Sequence, residues 1–328
     1  MNQLHTSDYL VFLLYFIVVS GYGIYIYYRK RSKSIQSKDF FLAEGSLTWW
    51  AIGASLIASN ISAEHFIGMS GSGFALGLAI STYEWMAAAT LIIVAVFFVP
   101  VYLKNKIYTM PQFLAQRYNN TVSTIMAVFW LLVYVFVNLT SIIYLGALAV
   151  SSVSGLSFTA CVIGLAVFSI VVTLGGMKVI GYTDVIQVAV LILGGLMTTY
   201  VSLNLVSEHF GYGKDLFMGL QVIREQAPSH FHMIFDSRHP YYRDLPGLSV
   251  LVGGMWINNL NYWGCNQYII QRALGANIQT ARSGILFAAF LKLLVPVIAV
   301  LPGIAVWVLY KNGMFQSEMI NADRKSVV

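Results

Sequence analysis

Three observations predict an all-α polytopic membrane protein. Hydrophobic residues fill 58% of the 328 positions and charged residues only 10%, with a mean hydropathy of +0.72, whereas globular chains carry about 25% charge. The apolar residues also fall in runs long enough to cross a ~30 Å hydrocarbon core as helices of about 20 residues, longer than a barrel strand of about 10. Finally, lysine and arginine gather between those runs rather than within them.

The runs lie at about residues 8–28, 47–71, 76–102, 123–150, 158–175, 182–204, 248–271 and 284–310, which makes about eight spans in a single transmembrane domain over residues 1–328. Positive charges follow the first run instead of preceding it, so it reads as a retained helix and not a cleaved leader. With the N-terminus outside, Arg29, Lys30, Arg31, Lys33, Lys38, Lys104, Lys106, Arg117, Lys178, Arg272 and Arg282 fall in inner loops, 11 of the 19 basic residues. That bias sets the orientation in the cell (inner) membrane. The net charge of +6 is thereby a matter of topology, and no nucleic-acid partner is implied. The extended polar region, about residues 205–247, reads as an outer loop. Cys161 and Cys265 lie within runs, so no disulfide framework is expected.

Two runs carry interrupted helical signals. The second contains LIASNISAEHFIG, Leu56 to Gly68, followed by Gly71 and Gly73, and the seventh contains INNLNYWGCNQY at 257–268. Unwound backbone at membrane depth survives only where it lines a cavity or binds something, and paired interruptions are the best sequence pointer to a transport site. Within the runs the ionisable residues are Glu64, His65, Glu84, Lys292 and, near an inner edge, Asp184. A charge at mid-membrane costs at least about 2.5 kcal/mol. Any one of these could be a structural ion pair, but Glu84 and Lys292 are opposite in sign and should share one interior cavity. Ala58, Ile61, His65 and Met69 recur at spacings of three and four, which puts them on one face if the segment is helical. Tyr262 and Trp263, beside Asn258, Asn259, Asn261 and Gly264, should face a cavity; Asn138 and Thr140 are as well explained by helix-to-helix hydrogen bonds.

A neutral polyol needs donors and acceptors converging from several sides and an aromatic face, which Glu, His, Asn, Lys and Tyr supply. A small hard cation needs oxygens, and carbonyls freed by a break near Ala58 to Ile61 supply some. An enzyme is the competing class. No HExxH, CxxC or nucleophile-elbow motif is present, which favours transport over catalysis.

The runs GASLIASNISAEHFIGMSGSG, YEWM at 83–86, VNLTS at 137–141, GYTDVIQ at 181–187, NYWGCNQYIIQR at 261–272 and FAAFLKLLVPVIAVLPGIA at 287–305 resemble the sodium/solute symporter family, on the side of its bacterial sodium/galactose members. The resemblance implies a leucine-transporter-like fold of inverted repeats, the second to sixth spans forming the first repeat and the seventh and eighth beginning the second. It implies sodium-coupled symport of a hexose, glucose or galactose, by alternating access. Sugar would be held by His65, Glu84, Asn138, Asn259 and Lys292, with Tyr262 stacking on the ring as inner gate. Met69, Tyr83 and Trp263 would be hydrophobic gates and walls. Ala58 and Ile61 would offer carbonyls to sodium, and Asp184 would stand near the ion's inner exit. His65 replaces a Gln of the galactose members and Ala87 a sugar-contacting Ser, which leaves the hexose itself open. An inositol or similar neutral solute, a non-transporting sugar sensor and an inactive remnant are the alternatives. The family's remaining sodium and sugar ligands lie beyond Val328, so the 328-residue chain alone is expected not to accumulate hexose. The sequence does not indicate an oligomeric state.

Overall fold

The computed structural model of the chain describes residues 6–29, 47–61, 63–173, 176–243, 245 and 247–316. The regular structure of these residues is helical throughout. The basic cluster of Lys30 to Lys38 lies outside the described residues, as do the side chains of Glu64 and Lys178.

Among the described residues, five stretches are long and apolar enough to cross a membrane: Ser7–Ile26, His65–Lys104, Asn120–Ser152, Val179–His209 and Ile278–Lys311. The difference from eight has a physical reason. The second and seventh expected spans are each broken, so neither supplies a continuous helix of membrane length, and the fifth gives only a shorter apolar helix, Phe158–Ile170. In chain order the helices are α1 (Thr6–Arg29), α2 (Trp49–Asn60), α3 (Ala63–Leu76), α4 (Ser81–Ile93), α5 (Val99–Lys104), α6 (Met110–Arg117), α7 (Asn120–Val133), α8 (Thr140–Ser154), α9 (Phe158–Thr173), α10 (Gly176–His209), α11 (Leu216–Gln226), α12 (Gly247–Val252), α13 (Gly254–Leu260), α14 (Gln267–Leu274) and α15 (Ile278–Lys311). The residues cluster in two compact units, one of 1–64, 87–190 and 257–291, the other of 65–86, 191–256 and 292–328.

In the first unit α2 ends because Ile61 adopts an extended conformation (φ −81°, ψ 117°). Its N-terminal half packs on the first half of α15, where Gly53 and Gly284 let the backbones approach and Trp49 meets Phe287 edge-on at 5.3 Å. Among the described residues three π turns, each one residue wider than an α turn, occur at Val94–Phe98, Tyr134–Leu139 and Asn261–Cys265. Such turns cluster at functional sites because they re-aim side chains without ending the helix. The third is pinned: Gly264 lies against Phe98, and Tyr102 Oη donates to its carbonyl at 3.0 Å. Asn266, extended at φ −80° and ψ 122°, then separates it from α14. By contrast, α7 buries no residue. Its exposed Ile125, Phe129 and Leu131 make a surface suited to lipid.

The second unit is built on α3, the C-terminal half of α10, α11 and the end of α15. Leu203, Val206, Val222, Ile223, Val300, Ile304 and Val308 form its buried core. Close helix approach is set by Gly303 against the Ser70 carbonyl. Pro296 and Pro302 lie inside α15 and remove two helical donors. Between them, Ser70 Oγ donates to the Ala299 carbonyl at 2.9 Å and Thr199 Oγ1 to that of Val297 at 2.8 Å. Neighbouring hydroxyls are the usual partners of such weakened backbone. The region read as a polar outer loop contains a helix, α11. Asp215 caps it by accepting from the amides of Phe217 and Met218, and its Val222 and Ile223 reach the core.

A short 3-10 turn, Pro228–Phe231, clasps this unit. His230 Nε2 lies 3.0 Å from the Phe74 carbonyl, and its ring centroid lies 4.1 Å from that of Trp307, over which Lys311 sits. Burial, with the Lys311 charge as a lesser contributor, pushes this imidazole below its ordinary value of 6.5, against the opposing bond to Phe74. The folded state therefore favours neutral His230. Its contribution to stability is complete above pH ~6.5 and is lost as pH falls from there through the lowered folded value. In detergent, the melting-temperature gap between the wild-type protein and His230→Gln should shrink as pH is lowered from 7.5 to 5. A gap independent of pH would show that the ring's protonation does not matter to the clasp.

Candidate functional site

In the second unit three polar side chains meet inside an apolar bundle. Glu84 sits in the first turn of α4, four residues after the 3-10 turn Gly77–Ile80 that redirects the chain. Lys292 lies mid-way along α15 at 1% exposure and donates to Glu84 Oε2. His65, on the first turn and a half of α3, brings Nε2 to 3.9 Å from Glu84 Oε1. A buried pair of this kind recovers its desolvation cost only with good geometry and further hydrogen bonds. The cluster is close to electrically neutral while remaining rich in donors and acceptors, which suits an uncharged, many-hydroxyl ligand. Met69 packs on the core around Val300 and Ile304, and Tyr83 on the small cluster of Ala79, Phe235 and Leu245.

In the first unit the two helix breaks are joined by side chains. Asn60, the last residue of α2, donates through Nδ2 to Tyr262 Oη at 3.0 Å. Tyr268 Oη donates to the same oxygen at 3.1 Å. Trp263 is fully buried and edge-on to Tyr262 at 5.1 Å. Asn259 is buried on α13, and Asn138 is half-buried within the Tyr134–Leu139 π turn.

The cation-binding expectation falls on this unit. A helix end leaves its last carbonyls without intrahelical donors, and the Ile61 break puts the Ala58 carbonyl in that terminal set. Asn60 Oδ1, beside the break, is buried and has no partner among the described residues. Asp184 is buried on α10 and accepts from Ser55 Oγ, while Arg272 Nε stands 3.9 Å from its Oδ2. A hard cation prefers oxygen ligands such as these. Among the described residues no group of three His, Cys, Asp or Glu could hold a metal.

The spacing of Ala58, Ile61, His65 and Met69 would give one face only in a continuous helix, and the chain leaves the helix at Ile61, so that condition holds only for His65 and Met69, on α3. Sequence reasoning missed Arg272, read as a loop charge, together with Ser55 and Tyr268. The signal was available: a buried Asp needs a cation, and Arg272 closes the motif that begins with Asn261 and Tyr262.

Comparison with known proteins adds the family. The family model described as sodium:solute symporter family matches residues 40–324. The chain belongs to the sodium:solute symporter family. Among its relatives, a sodium/glucose cotransporter of Vibrio parahaemolyticus is 50% identical over 314 residues, covering 95% of this chain and 57% of the relative. A sodium/myo-inositol cotransporter 2 of Homo sapiens is 34% identical over 319 residues, covering 94% of this chain and 46% of the relative. This symporter-family chain thus spans about half the length of the curated relatives it matches. In fold it is similar to a Na+-coupled sialic acid symporter solved in a substrate-bound outward-open state, with a TM-score of 0.75 at 21% identity over 93% of this chain and 62% of that one. The all-helical, leucine-transporter-like architecture follows from that likeness.

Proposed function

We propose that this chain serves sodium-coupled symport of a hexose across the cytoplasmic membrane by alternating access, with its N-terminus outside. The observation that carries the reading is the buried Glu84–Lys292 pair with His65 beside it. An ion pair sealed in a membrane bundle is expensive, and intramembrane charges of this kind mark substrate pathways. In the proposal, His65, Glu84 and Lys292 take sugar hydroxyls, as do Asn138 and Asn259, and Tyr262 stacks on the sugar ring. Met69, Tyr83 and Trp263 act as apolar gates and walls. Sodium is cargo, held by the carbonyls of Ala58 and Ile61 and passing Asp184. Moving one charge through 100 mV is worth about 2.3 kcal/mol, enough to hold roughly a 50-fold sugar gradient.

The myo-inositol relatives favour a second reading, in which the same donors and acceptors take a cyclitol. Equilibrium binding separates the two. Glucose or galactose should displace a labelled hexose from the protein, as its source cells make it, at lower concentration than myo-inositol does. Displacement by myo-inositol at lower concentration than by glucose or galactose would replace the hexose reading with the second.

The same assay checks the gate ring. Tyr262→Phe should keep hexose affinity in sodium within about threefold, whereas Tyr262→Ala, which removes the stacking face, should lose roughly fivefold or more, from about 1 kcal/mol for an aromatic face. Equal losses in the two variants would shift the role from ring to hydroxyl.

A further inference from the structure

We propose that Tyr268 is a positioning residue that ties the Tyr262 ring to the cation path at Asp184, with Arg272 as the lever between them. The proposal rests on the roles assigned above to Tyr262 and Asp184. Tyr268 stands in the first turn of α14, just past the Asn266 break. Its hydroxyl donates to Tyr262 Oη at 3.1 Å, while its carbonyl accepts from Arg272 Nη1. One helical turn further on, Arg272 Nε donates to Ser55 Oγ at 2.7 Å, and Ser55 donates to Asp184. An unbroken series of hydrogen bonds thereby runs from Tyr262 through Tyr268, Arg272 and Ser55 to Asp184.

The series also closes on itself. Ser55 and Asn60 belong to the same short helix, α2, and Asn60 holds the Tyr262 hydroxyl from the other side. Tyr262 and Arg272 are thus each bonded to α2 and to the first turn of α14, so neither helix segment can shift without changing both. Asn60 Oδ1, buried and without a partner among the described residues, leaves an acceptor beside the Ile61 break, where a cation would arrive.

A cation near Asp184 competes with Arg272 for the carboxylate. As that attraction weakens, Arg272 loosens its hold on Ser55 and on the Tyr268 carbonyl, and the Tyr268 hydroxyl carries the change to the Tyr262 ring. Linkage is reciprocal, so a sugar that fixes Tyr262 must alter cation affinity by the same factor. The ring of Tyr268 is held independently, edge-on to Tyr134 at 5.5 Å, and Tyr134 donates to Asn266 at 2.7 Å. Removing only the hydroxyl therefore leaves the packing in place.

The test is hexose affinity in saturating sodium and in choline, on the protein as its source cells make it. In the wild type sodium should tighten hexose binding by about fivefold or more. Tyr268→Phe should keep affinity in sodium within about threefold while its sodium factor falls toward one. Arg272→Lys, which keeps the charge but loses the planar fork, should lose the sodium factor as well. That second variant carries the test if Tyr268→Phe does not fold. A full sodium factor in Tyr268→Phe, or an equal loss of affinity in sodium and choline, would overturn this proposal alone. A wild-type factor near one would overturn the symport reading and this proposal with it.

Discussion

Replacing Lys292 by alanine is expected to abolish hexose binding and to destabilise the chain by about 3–5 kcal/mol, the usual cost of leaving one member of a buried ion pair without its partner. Both residues are sealed from solvent, Lys292 at 1% and Glu84 at 8% exposure. The alanine variant leaves the Glu84 carboxylate uncompensated and opens a cavity where the lysine stem lay. The double variant Glu84→Gln with Lys292→Met removes both charges at similar volume. It should recover much of the stability lost by Lys292→Ala, because well-packed neutral replacements of buried pairs are often tolerated, yet it should still fail to bind hexose. Thermal unfolding in detergent and hexose binding, measured on both variants, separate the two roles. Unchanged sugar affinity in Lys292→Ala would refute the site assignment, and a double variant no more stable than the single would refute the account of its cost.

The second large effect is expected at Gly77, where α3 gives way to the 3-10 turn leading to Glu84. Gly77 holds φ at +71°, and a Cβ there would collide with the backbone of His230. A left-handed conformation costs a non-glycine residue roughly 1–2 kcal/mol. Displacing His230 would add about 1 kcal/mol for its bond to the Phe74 carbonyl. Gly77→Ala should therefore lower the melting temperature in detergent by roughly 5–10 °C. Gly68→Ala, on the same segment but with open space around its Cβ, should change it little. Similar losses at both positions would mean that the clasp by His230 is not what fixes this turn.

How much of this was legible in the sequence depended on whether a residue's cost showed locally. The breaks near Ile61 and Asn266 were legible because polar residues interrupt apolar runs and nothing else explains them. Glu84 and Lys292 were legible as partners because opposite charges in hydrocarbon must find each other. Arg272 was not, because an arginine at the inner end of a span satisfies the topology rule without needing a partner, and only the fold brings it to Asp184. The π turns at Tyr134–Leu139 and Asn261–Cys265 were invisible because one added residue per turn leaves helical composition unchanged. The α11 helix was hidden by its setting among prolines and charges, although Asp215 as cap and Val222 with Ile223 as apolar stripe were its local signs. The spacing puts Ile61 and His65 on one face only if the helix is continuous, and the extended backbone at Ile61 ends it.

The central claim is sodium-linked movement of a neutral sugar, and counterflow tests it most directly. Proteoliposomes containing the protein as its source cells make it, with its intact mass recorded, are loaded with unlabelled hexose and diluted into labelled hexose in sodium, potassium or choline. The account predicts a transient accumulation of label in sodium that is absent in potassium and choline and is lost in Lys292→Ala. Equal accumulation in all three salts, or none in any of them while hexose binding persists, would contradict it.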